Sequence, residues 1–272
     1  MPTAPLFAVY ASSRGNYFFM EIRRLLADGL RSCGVRVIEA DERRGFSPRA
    51  DWHLVVAPQE FFTLGRGARL QRGSWPDGVI LYHSEQPGYR TAPLVAALAP
   101  RASAVWAMDA AEARRLRARG ARARHVPLGF VPGSALFAAG KARRRNLDAL
   151  FIGSAVPRRR AFFARAGLER RAAVVRLVDD DAFVLPGRRP WDRSREALEL
   201  ARSARLVLNI HRRPSRFFEW HRVAVHGLGQ GALVLSEPVA GCAPLRPGRD
   251  FLAAPLRDFP RLIRELLDTS AG

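Results

Sequence analysis

The chain has 272 residues, a formal net charge of +20 and 48% hydrophobic residues. That is about two domains' worth of chain with apolar content for real cores, and no stretch approaches the ~18–20 apolar residues of a membrane span. Its two cysteines, Cys33 and Cys242, lie far apart and lack CxxC or Cys/His spacing, so a disulfide framework or zinc site is not expected and a reducing cytoplasm fits.

In chain order, "PLFAVYA" reads as a first strand; no basic residue precedes this short apolar run, so it is not read as a signal peptide. "NYFFMEIRRLLADGLRSCG" follows as an amphipathic helix closed by Gly34, and "VRVIEA" as the next strand. "WHLVVAP", "GVILYHSEQP" and "ASAVWAMD" are further short apolar runs, "AAEARRLRARG" a helix, and "ARHVPLG" ends the half. The basic stretch "AAGKARRRN" (138–146) reads as a linker, with Arg143–Arg145 as a solvated hinge. The pattern then restarts: strand "LDALFIGS", helix "PRRRAFFARAGLERRA", strand "AVVRLV", helix "SREALELARSA", strand "RLVLNIHR", a helix from 217, strand "GALVLSEP" and a closing helix "DFPRLIRELLDT". Such alternation predicts an α/β chain of two doubly wound Rossmann-like domains facing a cleft, over 1–137 and 147–272. Ligand is expected at the carboxyl ends of the parallel strands.

The charge raises nucleic acid or an anionic membrane surface as partners. Yet Lys141 is the only lysine, and a bias to arginine with abundant alanine and glycine is what a GC-rich genome produces. Nucleic-acid binding predicts basic residues interleaved with aromatics on one face, whereas these arginines are spread along every helix. Affinity for phosphates in general is still expected.

Several strand ends carry chemistry. Gly153 and Ser154 follow "LDALFI", with Arg158, Arg159 and Arg160 at the start of the next helix; a small residue lets backbone approach a ligand, and arginine at a helix start holds phosphate. His211, Arg212, Arg213 and Arg216 follow "RLVLNI". Glu219, Arg222 and His226 fall on one helical stripe (i, i+3, i+7), and Phe218, Val225 and Leu228 on another. The polar stripe is either a ligand contact or a structural network of local pairs. "GLGQG" is not a dinucleotide fingerprint, because it ends a helix and precedes a strand; its glycines are expected to stop the helix and let it pack closely. In the first half, "SSRGNY" is a polar turn, "YHSEQP" places His83, Glu85 and Gln86 at a strand end, and Asp109 stands where a helix cap would. No Ser/His/Asp order, P-loop or metal-ligand cluster is present in the sequence.

The segment "RLVLNIHRRPSRFFEWHRVAVHGLGQGALVLSEPVAGCAPLRPGRDF" resembles the donor-binding half of GT-B glycosyltransferases, closest to the group 1 and CgeB-like relatives. "ALFIGSAVPRRR" resembles the opening of that domain, and "LYHSEQP" is similar to a donor-side loop of the family's N-terminal domain. The resemblance implies a hexosyltransferase-type enzyme that moves a sugar from a nucleotide diphosphate to an acceptor, with no metal and no cofactor beyond the donor. It makes 1–137 the acceptor side, 138–146 the linker and 147–272 the donor domain. It implies donor contacts from Gly153, Ser154, Arg158, Asn209, His211, Arg216, Glu219, Arg222 and His226. His226 stands where retaining relatives carry the second glutamate of a Glu-seven residues-Glu motif; the partner position is Phe218, with Glu219 beside it. This departure leaves the ribose contact and the stereochemistry open. The family's diphosphate lysine is absent, so an arginine must substitute. An inverting reaction would draw its base from the first half, with His83, Glu85 and Asp109 as candidates. The sequence does not name the acceptor: a glycan, a lipid-linked or a small molecule is expected, in the cytoplasm or, from the net charge, at an anionic membrane face. A nucleic-acid-binding protein, a sugar-nucleotide epimerase of the same fold and a non-catalytic relative are the alternatives.

Overall fold

A computed structural model describes residues 4–85, 92–137, 145–178 and 190–268. The chain divides into two compact units, 1–134 with 186–194 and 135–185 with 195–272. Gln86, Lys141, Arg143 and most of the expected linker lie outside the described residues.

Unit 1 is a six-stranded parallel sheet. Its strands are β1 (Leu6–Tyr10), β2 (Arg36–Ala40), β3 (Trp52–Val56), β4 (Val79–His83), β5 (Ala104–Ala107) and β6 (Ala123–His125), in the order β2-β1-β3-β4-β5-β6. The central strands are apolar along their length because both faces are covered, as a parallel sheet requires. Helices α1 (Tyr17–Ser32), α2 (Pro58–Phe61), α3 (Gly67–Arg72), α4 (Ala92–Leu98) and α5 (Ala110–Ala118) connect them. Asn16 starts α1 by accepting the Phe18 amide at 3.0 Å, and Gly34, at φ +78°, follows its end. Tyr10, Val55, Phe61, Phe62, Leu81 and Val105 form the core. The chain leaves β1 for β2 on one side and returns to β3 on the other, so a topological switch point lies between the carboxyl ends of β1 and β3. Ala57, at φ +50°, turns the chain sharply from β3 into α2, at a cost of about 1–3 kcal/mol.

Unit 2 repeats the scheme with β7 (Leu147–Ser154), β8 (Ala173–Val178), β9 (Ala204–Asn209), β10 (Leu233–Ser236) and β11 (Leu252–Ala253), all parallel in the order β11-β10-β9-β7-β8. Its switch point lies between β7 and β9. Helix α6 is Pro157–Phe163, α7 is Pro190–Ser203, and α8 (Phe259–Asp268) buries Phe259, Ile263 and Leu267, one apolar stripe at i, i+4, i+8. These pack on Phe151, Leu206, Leu208 and Leu235.

Two expectations change. The helix expected from residue 217 is a π-helix over His221–Gly227, closed by i→i+5 bonds, so Glu219 lies ahead of it. Arg145, expected in a solvated hinge, donates to the carbonyls of Ala204 (2.6 Å), Arg202 (3.1 Å) and Gln230 (2.6 Å). Its guanidinium serves three strand- and helix-end acceptors that water would otherwise have to reach. The "GLGQG" glycines do permit close packing: a Cβ on Gly227 would overlap Val234, and one on Gly229 would overlap Phe137.

Candidate functional site

In unit 2 the switch point is occupied by guanidinium groups. Arg159 is 2% exposed, and its Nε and Nη2 both donate to the Ile210 carbonyl (3.0 and 2.8 Å) while Nη1 donates to Ser154 Oγ at 2.8 Å. It therefore joins the end of β7 to the end of β9. Arg222 comes from the π-helix; its Nη1 donates to Asn209 Oδ1 at 2.8 Å and its Nε to the Ile152 carbonyl at 3.3 Å. Asn209 in turn donates to Ser236 Oγ at 2.9 Å, extending the network to β10. Both guanidinium carbons sit over the Phe151 ring, at 5.1 and 5.3 Å from its centre.

Gly153 is the floor of this arrangement. A Cβ there would lie 3.0 Å from Arg159 Nη1 and 3.1 Å from Arg222 Nη2, so the two cations close over the missing side chain. Burial, and next the charge of Arg222, pull the Arg159 guanidinium down to about 9, which leaves it charged at neutral pH. Glu219 Oε2 stands 3.6 Å from Arg222 Nη1. Burial acts to raise the Glu219 carboxyl, but Arg222, Arg159 and His211 outweigh it and hold the group below its ordinary value. Two buried cations thus face one carboxylate.

His211 is 2% exposed, and its Nδ1 donates to the Ser215 carbonyl at 2.8 Å, so Nε2 is left as the acceptor; it is buried and among the described residues has no partner. Burial lowers its pKa. Glu237 accepts the His211 amide at 2.7 Å and pairs with both ends of Arg158, which also donates to the His211 carbonyl. The charge of Arg158 is therefore matched inside unit 2. Arg216 is exposed. Arg222 and His226 do not share a stripe, because π winding brings i and i+5 together: His226 lies with its ring 4.5 Å from that of His221.

In unit 1, His83 is 1% exposed with Nε2 3.3 Å from Glu112 Oε1. Arg115 clamps Glu112 through two bonds, at 2.8 and 2.6 Å. Burial acts to raise the Glu112 carboxyl, but His83 and Arg115 hold it at about 2. Asp109 Oδ1 accepts the Glu112 amide at 2.8 Å and caps α5. Glu85 accepts from Gln59 Nε2 at 3.0 Å. Two carboxylates that sequence reasoning missed share this end of the sheet. Glu42 accepts the Ser13 amide (2.7 Å) and hydroxyl (2.6 Å), and Glu60 accepts the Asn16 amide at 2.8 Å. Burial, together with the charge of Glu85, raises Glu60 to about 7. The available signal was "VVAPQEF": an acid two residues past a strand-end proline.

Among the described residues no helix is long and apolar enough to cross a membrane. No family model and no curated protein matches the chain. Among solved structures, an uncharacterised protein of Klebsiella pneumoniae is similar with a TM-score of 0.53 at 10% identity, over 92% of this chain and 93% of that one. The apo form of the lipopolysaccharide outer core galactosyltransferase WaaB gives a TM-score of 0.44 at 10% identity, over 98% and 90%. The first likeness is one of fold alone, and the second is too slight to carry an argument. The chain carries two Rossmann-like α/β units, each built on a parallel sheet.

Proposed function

We propose that the chain is a glycosyltransferase of GT-B type that transfers a hexosyl group from a nucleotide-diphosphate sugar, with unit 2 as the donor side and unit 1 as the acceptor side. The observation that supports this reading is the pair of buried guanidinium groups, Arg159 and Arg222, closed over Gly153 at the switch point of unit 2. Their two positive charges exceed the single negative charge of Glu219, so the spot favours an anion. In glycosyl transfer the departing diphosphate gains negative charge while the sugar gains oxocarbenium character; cations already fixed in place stabilise that separation without reorganising. Arg159 and Arg222 supply the charge that the family's lysine and a metal would otherwise supply. Gly153 and Ser154 border the diphosphate. The unpaired Nε2 of His211 accepts a hydroxyl or N–H of the nucleoside, and Asn209, Glu219 and the Arg158–Glu237 pair hold those groups in register. His226 supports the π-helix from behind, and Arg216 reaches the phosphates only from the exposed rim. Transfer takes place in the cytoplasm, with peripheral contact to an anionic membrane through the basic surface.

A thermal-shift panel of UDP-, GDP-, ADP- and dTDP-sugars tests the reading. One nucleotide class should raise the melting temperature, as a ligand that binds only the native state does. Arg222→Ala should lower its affinity at least tenfold, since a charged hydrogen bond contributes about 1.5–3 kcal/mol. A panel with no shift removes the proposal.

A further inference from the structure

We propose that the switch point of unit 1 binds a protonated amine, and that the acceptor is therefore an amino alcohol of the amino-sugar or aminocyclitol class. The role of acceptor rests on the transferase reading above; the amine site stands on unit 1 alone.

Glu60 follows β3 and meets the turn after β1, where open α/β sheets take their ligands. Its Oε2 accepts the Asn16 amide at 2.8 Å, and a Cβ on Gly15 would overlap that oxygen, so the turn is fitted to this carboxylate. The charge that acts on Glu60 is of like sign and comes from Glu85, past the β4 end. Glu42 and the Arg14 side chain lie against Gly65, and among the described residues no positive charge acts on Glu60. That stands out in a chain with 45 Lys+Arg against 25 Asp+Glu, in which Glu112, Glu219 and Glu237 all have arginine neighbours.

The second observation is independent of charge. Gln59 is 4% exposed, and its Nε2 donates to Glu85 Oε1 at 3.0 Å. A carboxylate only accepts, so this bond fixes which end of the amide is oxygen. Oε1 is then left buried with no donor among the described residues. Glu85 links the two groups, since its charge acts on Glu60 and its oxygen holds Gln59. Both want hydrogen-bond donors, and Glu60 wants a positive charge as well. An ammonium group carries three N–H donors, one positive charge and no acceptor, so a single group meets both needs. A hydroxyl near the amine suits Ser84, which is 7% exposed and whose Oγ makes no bond among the described residues. An uncharged polyol would leave the carboxylate without a counter-charge, and an anion would meet like charge.

This chemistry has a signature in pH. Burial, and next the charge of Glu85, hold the Glu60 carboxyl up at about 7, against the pull of the Asn16 amide. A bound ammonium favours the ionised form, so its arrival expels a proton wherever the free site is protonated. Affinity is therefore full above 7 and falls as pH drops below it, by about tenfold between pH 8 and pH 6.

The test is calorimetric titration of the full chain with three ligands built on one ring. They are trans-4-aminocyclohexanol, trans-1,4-cyclohexanediol and trans-4-hydroxycyclohexanecarboxylate. We expect the amine to bind at least tenfold more tightly than the diol, and the carboxylate to bind most weakly. At pH 6 the amine's binding heat should vary with the ionisation enthalpy of the buffer, showing nearly one proton released, and at pH 8 it should not. Glu60→Gln, which keeps an oxygen for the Asn16 amide, should lose both the preference for the amine and the proton release. Gln59→Met should weaken the amine at least tenfold and keep the proton release. Equal affinity for amine and diol, absence of proton release in the wild type, or an unchanged amine affinity in folded Glu60→Gln overturns the site. Nucleotide-sugar binding judges the other reading separately. A donor that binds while the amine does not overturns the acceptor class and leaves the transferase standing. An amine that binds while no donor does leaves the site standing and overturns its role as acceptor site.

Discussion

Units 1 and 2 run their strands in the same order about a switch point, and they fill it with opposite charge. Between β7 and β9 the filling is cationic: Arg159 ties Ser154 to Ile210, and Arg222 ties Asn209 to Ile152. Between β1 and β3 it is a carboxylate, Glu60, held by one backbone amide. The topology sets where a ligand can sit, and a few side chains after each strand set which ligand it is. The contrast also differs in cost. The guanidinium groups of unit 2 donate to the Ile210, Ser154 and Ile152 carbonyls and to the Ser154 and Asn209 side chains, so they serve stability as well as charge. Glu60 has few such bonds and is held at the expense of its own ionisation.

Removing Arg159 should break the contrast most severely. Arg159→Leu leaves the Ile210 carbonyl and Ser154 without a donor, and stability in urea should fall by roughly 3 kcal/mol or more. A loss under 1 kcal/mol would mean that Arg159 is a ligand residue and not a tie between strands. The second effect is a pH dependence carried by Glu60. Its folded pKa, about 7, lies above the ordinary value, so its contribution is fully present below about 4.5 and is lost as pH rises through 7. That slope amounts to a few kcal/mol, and Glu60→Gln should remove it from urea titrations across the window. Glu112 has the opposite sign: its contribution is present above about 4.5 and is lost as pH falls toward 2. The smallest effect is expected at the exposed rim, where Arg216→Ala should change stability by less than about 0.5 kcal/mol. It should lower nucleotide affinity less than Arg222→Ala does, and equal losses in a calorimetric titration would erase the distinction between buried and exposed arginine.

Much of the fold was legible. "LFAVY", "WHLVV" and "VILYH" read as strands because a strand covered on both faces has to be apolar throughout, and the alternating helices implied parallel pairing. The edge of unit 2 was legible in part: Gly153 stood out as a place of close approach, but the approaching groups are arginines of the same chain. The Glu219, Arg222 and His226 stripe was misread because the hydrophobic period does not distinguish α from π winding over seven residues. Arg145 looked like hinge composition because its carbonyl partners lie 57 to 85 residues away. Glu60 was invisible for the same reason, since its character arises from a glycine and an amide 44 residues upstream and more.

The wide turn at 221–227 has a consequence for how such a chain changes in length. A π turn holds one residue more than its α equivalent, so losing a codon there can be absorbed by rewinding to an ordinary helix. Phase is what rewinding does not preserve: each residue counts for about 100° of rotation, so Arg222 would swing off the strand ends or Gly227 off Val234. A one-codon deletion at this point is therefore a mutational hinge, able to re-aim a guanidinium while the hydrophobic interior stays as it was.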